Sequence, residues 1–186
     1  MTMHHAPFPP MQEMRRITIL QGDARSTSDP RDEFSTVLGS CVAACLFDPL
    51  AGVGGMNHFL LAEPPSAHGG GRIDVHYGTY LMEMLINEML AQGACKADLR
   101  AHLYGGANLR TGMKAIGTAN ADFARHFLER ERIVLQHADL GGSNARRVDF
   151  RPVRGQVRCR HVVNSLAPHE VPETRPRRAN GDVELF

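Results

Sequence analysis

Hydrophobic positions alternate with polar ones early in the chain and recur every three to four residues further on. Arg16–Leu20 (Arg-Ile-Thr-Ile-Leu) alternates and carries β-branched residues, which predicts a first strand. Gly22 to Asp32 is polar and reads mostly as loop. Phe34–Leu38 predicts a short strand running into Gly39-Ser40, and the apolar run Val42–Phe47 a buried strand or short helix. Asp48-Pro49 marks a turn before a strand from about Val53 to Leu61. The period then lengthens. From about Asp74 to Gln92, Tyr77, Tyr80, Leu81, Met84, Leu85 and Met89 lie on one helical face, with Gly93 as the stop. Ala101–Tyr104 predicts a strand. Thr118–Glu131 predicts a second helix with Phe123, Phe127 and Leu128 inward, and Ile133–Gln136, Arg147–Phe150 and Gln156–Val163 predict further strands.

This order, strands first and helices interleaved later, favours a layered α/β or α+β domain over an all-β barrel. The expected organisation is a leader at residues 1–14, one domain at 15–163, and a proline- and charge-rich disordered tail at 164–186. Pro64, Pro65 and Gly69–Gly71 mark an exposed connection.

Hydrophobic residues at 42% and charged residues at 22% are ordinary for a soluble domain, and 186 residues suffice for one core. A net charge of +1 gives no reason to expect nucleic acid, the cluster Arg175, Arg177 and Arg178 being a local exception. No window of about 18 apolar residues exists, so no membrane insertion is expected. Met1 to Met14 does not read as a secretory signal, so the expected location is cytoplasmic, with reduced thiols.

The four cysteines, at 41, 45, 95 and 159, form no CxxC pair. On a strand, Cys41 and Cys45 share a face but stand roughly 13 Å apart, too far for a disulfide. Cys45, Cys95 and Cys159 read as buried small hydrophobes. Cys41 has different surroundings. Small Gly39 and Ser40 precede it, leaving room for a substrate amide and for main-chain N–H groups to serve an oxyanion. If residues 42–47 and 53–61 pair as a hairpin, His58 lies opposite residues 41–43, where an imidazole accepts a thiol proton. Ser35 or Thr36, on the preceding strand, is placed to hold the imidazole's other nitrogen. The plainer alternative is a packed core histidine beside a buried thiol.

His4, His5, His58, His68 and His76 form no HExxH or CxxC core, so no metal site is expected. Gly69–Gly71 and Tyr104–Asn108 lack phosphate-loop spacing and read as turns or a substrate-approach surface. Met82, Met84 and Met89 read as core packing.

Five stretches together resemble the chemoreceptor glutamine deamidase family, CheD. They are Thr36–Asp48 (Thr-Val-Leu-Gly-Ser-Cys-Val-Ala-Ala-Cys-Leu-Phe-Asp), Gly54–Leu61 (Gly-Gly-Met-Asn-His-Phe-Leu-Leu), and Met82–Leu90. Tyr104–Asn108 with Ile116–Asn120 is the fourth, and Asp139–Gly142 with Arg146–Val148 the fifth. The resemblance spans roughly residues 15–163. It implies a single-domain α/β/α sandwich with a mixed, largely antiparallel sheet, related to deamidating bacterial toxins. It also implies conversion of selected glutamines to glutamate on methyl-accepting chemotaxis receptors, tuning adaptation. Cys41 matches the family nucleophile and His58 its base. The third member is a hydroxyl residue six positions before the cysteine, here Ser35, while Thr36 lies one closer. The family uses no metal or organic cofactor, and some members bind a CheC-type response-regulator phosphatase. Two other readings remain open: a non-enzymatic adaptor for receptors or that phosphatase, and a cysteine peptidase or small-molecule amidase.

Overall fold

The structure, a computed structural model, describes residues 13–61, 75–109 and 116–167. Most of the expected leader, the 64–71 connection and the tail beyond 167 lie outside the described residues. Of the segment expected as tail, residues 164–166 form a 3₁₀ turn.

The strands are β1 (Arg15–Thr18), β2 (Ala24–Thr27), β3 (Asp32–Leu38), β4 (Val42–Asp48), β5 (Val53–Asn57), β6 (Arg100–Gly105), β7 (Val134–Leu140), β8 (Ala145–Arg151) and β9 (Gln156–Val162). The helices are α1 (Val75–Ala91) and α2 (Ile116–Arg130). One sheet has the order β2-β5-β4-β6-β7, the other β1-β3-β8-β9. Among the described residues, only β6/β7 and β1/β3 pair parallel; the other strand pairs are antiparallel.

β4 shows why the layers form. Every residue in it is buried, and alternate side chains enter different cores. Val42, Ala44 and Leu46 pack with Leu81, Met82, Leu85 and Met89 of α1 and with Ala124, Phe127 and Leu128 of α2. Ala43, Cys45 and Phe47 pack with Phe34, Leu38, Val148 and Phe150 of the second sheet. The domain is therefore α/β with mixed, mostly antiparallel sheets. The layer order among the described residues is helices, five-stranded sheet, four-stranded sheet. The outer layer opposite the helices is a sheet where the α/β/α expectation had helices.

Elements that the periodicity did not reveal are held by polar contacts. β2 has no apolar alternation. It is an edge strand laid on β5 and tied to α1 and the turn after it, where Gln92 Nε2 donates to Ser26 Oγ at 2.6 Å and Ser26 Oγ to Glu88 Oε2 of α1 at 3.2 Å. β3 starts at Asp32 because Arg15 of β1 holds that carboxylate through Nε at 2.6 Å and Nη2 at 2.9 Å. β5 stops at Asn57, four residues before the expected end. There the Asn57 side chain takes the Ala44 N–H at 3.0 Å, and the pairing resumes as a bridge between Val42 and Phe59. In α1 the buried stripe is Leu81, Met82, Leu85, Ile86 and Met89, so Tyr80, expected inward, is 55% exposed.

Gly105 ends β6 at φ 114°, and a Cβ there would collide with the Cys41 carbonyl oxygen. Gly105→Ala is expected to destabilise the fold by about 1–3 kcal/mol. The measurement is the urea unfolding midpoint; an unchanged midpoint would contradict the close approach.

Candidate active site

Cys41 and His58 are neighbours in the sheet, just before β4 begins and just after β5 ends. Val42 N–H donates to Phe59 O at 3.0 Å and Phe59 N–H to Val42 O at 2.9 Å. This bridge continues the register in which Cys45 faces Met56, so His58 stands opposite Ala43 and Leu60 opposite Cys41. Val42 and Phe59 point into the helix-side core. Alternation therefore turns Cys41 and His58 to the other face, as diagonal cross-strand neighbours within side-chain reach. Both are buried, Cys41 at 4% exposure and His58 at 1%.

The hydrogen bonds fix the imidazole tautomer. Thr36 Oγ1 donates its one proton to the Ile19 carbonyl at 2.8 Å. The same oxygen lies 3.0 Å from His58 Nδ1 and can only accept there, so Nδ1 carries the hydrogen. The Ile19 carbonyl, 3.5 Å from Nδ1, favours the same arrangement. His58 Nε2 is then an unprotonated lone pair, buried and without a hydrogen-bond partner among the described residues. Burial lowers the His58 pKa to about 4, against the opposing pull of the Ile19 carbonyl and the Asp23 charge. The ring is neutral at physiological pH, as a base must be.

Thr36 and Ser35 are adjacent on β3 and so point to opposite faces. Ser35 Oγ donates to Asp149 Oδ1 at 2.7 Å on the outer side of the four-stranded sheet. Burial pushes the Asp149 carboxyl up, but that hydroxyl and the Arg158 guanidinium outweigh it and hold the group ionised. Of the four residues expected at the site, the structure gathers Cys41, His58 and Thr36 and leaves Ser35 outside. The sequence left Ser35 and Thr36 open; in the structure the Thr36 hydroxyl lies against His58 Nδ1 and the Ser35 hydroxyl against Asp149.

Three carbonyls of the turn before β4 are clamped. Ala107 N–H donates to Gly39 O at 2.9 Å, Asn120 Nδ2 to Ser40 O at 2.8 Å, and Gly106 N–H to Cys41 O at 2.7 Å. Asn120, fully buried on α2, also accepts the Leu61 N–H at 2.9 Å, so one amide fixes both the Cys41 turn and the chain after His58. Arg146, inward on β8, donates to the carbonyls of Gly105, Asp139 and Gly141 and braces the strand ends behind the clamp. The stretches Tyr104–Asn108, Ile116–Asn120 and Asp139–Val148 thus converge on the turn that carries Cys41. Sequence reasoning missed the roles of Asn120 and Arg146, and it missed Gln21, whose Oε1 accepts from Cys41 Sγ at 3.5 Å. The local signal for the first two was a polar residue at an inward position of its element.

The other cysteines differ in environment. Cys45 is fully buried, and desolvation pushes its thiol well up. Cys159 is pushed up to about 12 by burial first and then by Asp139. Cys95, expected buried, is exposed, because its segment is a surface turn tethered through its N–H to Asp48 Oδ2 at 2.8 Å.

The CheD family profile, described as CheD chemotactic sensory transduction, matches residues 60–161. A probable chemoreceptor glutamine deamidase CheD from Zymomonas mobilis is 52% identical over 176 residues, covering 95% of both chains. A protein of the same description from Caulobacter vibrioides is 45% identical and covers all of both chains. Among solved structures, a Neisseria meningitidis protein of family DUF152 aligns with TM-score 0.42 at 12% identity, over 70% of this chain and 63% of its own. The two deamidase relatives extend across the Cys41 and His58 segments, which precede the profile match, and on that similarity the chain belongs to the CheD family.

Proposed function

We propose that this chain is a chemoreceptor glutamine deamidase that converts glutamine side chains to glutamate through Cys41 and His58. The observation that carries the reading is the His58 tautomer: a buried imidazole with Nδ1–H held by Thr36 and a bare Nε2, on the same face as a thiol. The relatives named above supply the substrate class. No helix among the described residues is long and apolar enough to cross a membrane. The site would act on the cytoplasmic part of a receptor, without a cofactor.

The steps use only groups at the site. His58 Nε2 takes the Cys41 proton, and the thiolate attacks the carboxamide carbon, forming the C–S bond as the carbonyl π pair moves to oxygen. Main-chain N–H groups of the clamped turn stabilise that oxyanion. The imidazolium returns its proton to nitrogen, the C–N bond breaks, and ammonia leaves a thioester. His58 then deprotonates a water that attacks the thioester, and the sulfur leaves as thiolate with glutamate as product. Thr36 keeps the ring oriented throughout and stabilises the cation through Nδ1.

The direct test is incubation with a receptor cytoplasmic fragment, with ammonia release and a mass gain of about 1 Da per converted glutamine as readouts. An adaptor that binds receptors or a CheC-type phosphatase without chemistry would give neither, and a peptidase would give fragments. Thr36→Val keeps the shape of the side chain and removes the hydroxyl. It is expected to lower kcat about tenfold, the effect of one orienting hydrogen bond of about 1.4 kcal/mol, with KM unchanged. Ser35→Ala is expected to leave kcat within about twofold, since its hydroxyl faces Asp149.

A further inference from the structure

The segment between β1 and β2 supplies more of the site than its polar composition suggests. Ile19 O accepts the Thr36 hydroxyl. Gly22 N–H donates to His58 O at 2.8 Å, and His58 N–H donates to Asp23 O at 3.0 Å. The turn closes on itself through Asp23 N–H to Leu20 O at 3.0 Å and Leu20 N–H to Asp23 Oδ2 at 3.0 Å, with Gly22 in the left-handed region at φ 89°. Gln21 is thus carried on a tight turn whose register is set by the main chain of His58 itself. Its side chain reaches the sulfur of Cys41 at 3.5 Å.

We propose that Gln21 is a catalytic residue of this site, its side-chain amide serving first as partner of the Cys41 sulfur and then as a donor to the oxyanion. The proposal rests on the deamidase reading above. The argument comes from the two ends of a carboxamide. With sulfur protonated, Oε1 accepts the S–H, as in the structure. With sulfur ionised, an oxygen at that place would repel the charge. The terminal torsion of glutamine is close to two-fold, and oxygen and NH₂ occupy nearly the same space. A half-turn therefore puts Nε2–H where Oε1 was, without moving the turn. The donor then lies beside the forming C–S bond, where an oxyanion is generated. A carboxamide can both accept from a thiol and donate to a thiolate while remaining neutral.

Two substitutions separate this role from a packing role. Gln21→Glu keeps the shape, cannot donate when ionised, and brings a negative charge to the sulfur. Gln21→Ala removes the group, and Gln21 is only half-buried at a surface turn, so the fold tolerates it. The first readout is the pH dependence of iodoacetamide alkylation at Cys41, followed on the Cys41-containing peptide by mass spectrometry. This needs no receptor and is not confused by exposed Cys95. The alkylation midpoint is expected to move up by about one pH unit or more in Gln21→Glu. The second readout is deamidation of a receptor fragment, where Gln21→Ala is expected to lose about 100-fold in kcat with little change in KM. Wild-type midpoints in Gln21→Glu, or a wild-type kcat in Gln21→Ala, would overturn the assignment. A Cys41 titration that responds to Gln21, in a chain whose wild type converts no receptor glutamine, would instead contradict the deamidase reading while leaving Gln21 as the partner of the thiol.

Discussion

Cys41→Ala is expected to abolish glutamine conversion, lowering the rate at least about ten-thousand-fold, to the level of receptor fragment alone. The step depends on a sulfur that attacks carbon and later leaves, and alanine supplies neither function. None of the remaining cysteines can substitute: Cys45 is fully buried and held as a thiol by desolvation, Cys159 is pushed up to about 12, and Cys95 sits on a surface turn tied to Asp48. Folding should survive. Alanine removes one sulfur from a small side chain, a loss of about 1 kcal/mol of buried apolar surface, while the clamps on the turn use main-chain carbonyls that the substitution leaves in place. Cys41→Ser should be similarly inactive, because a hydroxyl is far less acidic than a thiol and a buried alkoxide is costly. Ammonia release at matched protein concentration is the measurement.

Replacing His58 has the second large effect. His58→Gln is expected to lower kcat by about 100- to 10,000-fold, since proton removal from sulfur, proton delivery to ammonia and activation of water all pass through Nε2. The same substitution should also change how stability varies with pH. The folded pKa of about 4 lies below the ordinary value of 6.5, so between those values the unfolded chain binds a proton that the folded chain does not. The contribution of His58 is therefore fully present above about pH 6.5 and is lost as pH falls toward 4, on the order of 3 kcal/mol across the window. Urea unfolding of wild type and His58→Gln at pH 7, 5.5 and 4.5 measures it. The stability difference between pH 7 and 4.5 should be smaller in the variant. An equal fall in both would mean that His58 is not the neutral buried base.

How much of this was legible in the sequence follows from which forces leave a local pattern. The apolar run of β4 and the three-to-four spacing of α1 and α2 are burial patterns; they marked both helices and a buried central segment, open between strand and short helix. The hairpin arithmetic through Asp48-Pro49 put His58 beside residues 41–43, and the bridge at Val42 and Phe59 gives that register. What left no pattern was structure held by main-chain and polar contacts. β2 is four small or polar residues that become a strand only by pairing with β5. The choice between Ser35 and Thr36 needed the facing of β3, which depends on what covers each side of the sheet. Gln21 and Asn120 are 20 and 79 residues from Cys41 in sequence, and only the turn at residues 20–23 and the approach of α2 bring them to it. The same holds for the outer layer: no single strand reveals that β1, β3, β8 and β9 form a second sheet against Cys45 and Phe47.

A receptor-derived peptide in which the target glutamine carries a chloromethyl ketone in place of its carboxamide would report the attacking atom directly. The carbonyl carbon then sits where the scissile amide carbon sits and the chloromethyl carbon in the place of the leaving nitrogen; the side chain that displaces chloride from that methylene becomes permanently labelled. The expected result is one label per chain on the Cys41-containing peptide, formed at a rate that the unmodified glutamine peptide slows and that His58→Gln reduces. Labelling at Cys95 or another residue, with Cys41 left free in a protein that still deamidates the natural peptide, would contradict the assignment of Cys41 as nucleophile.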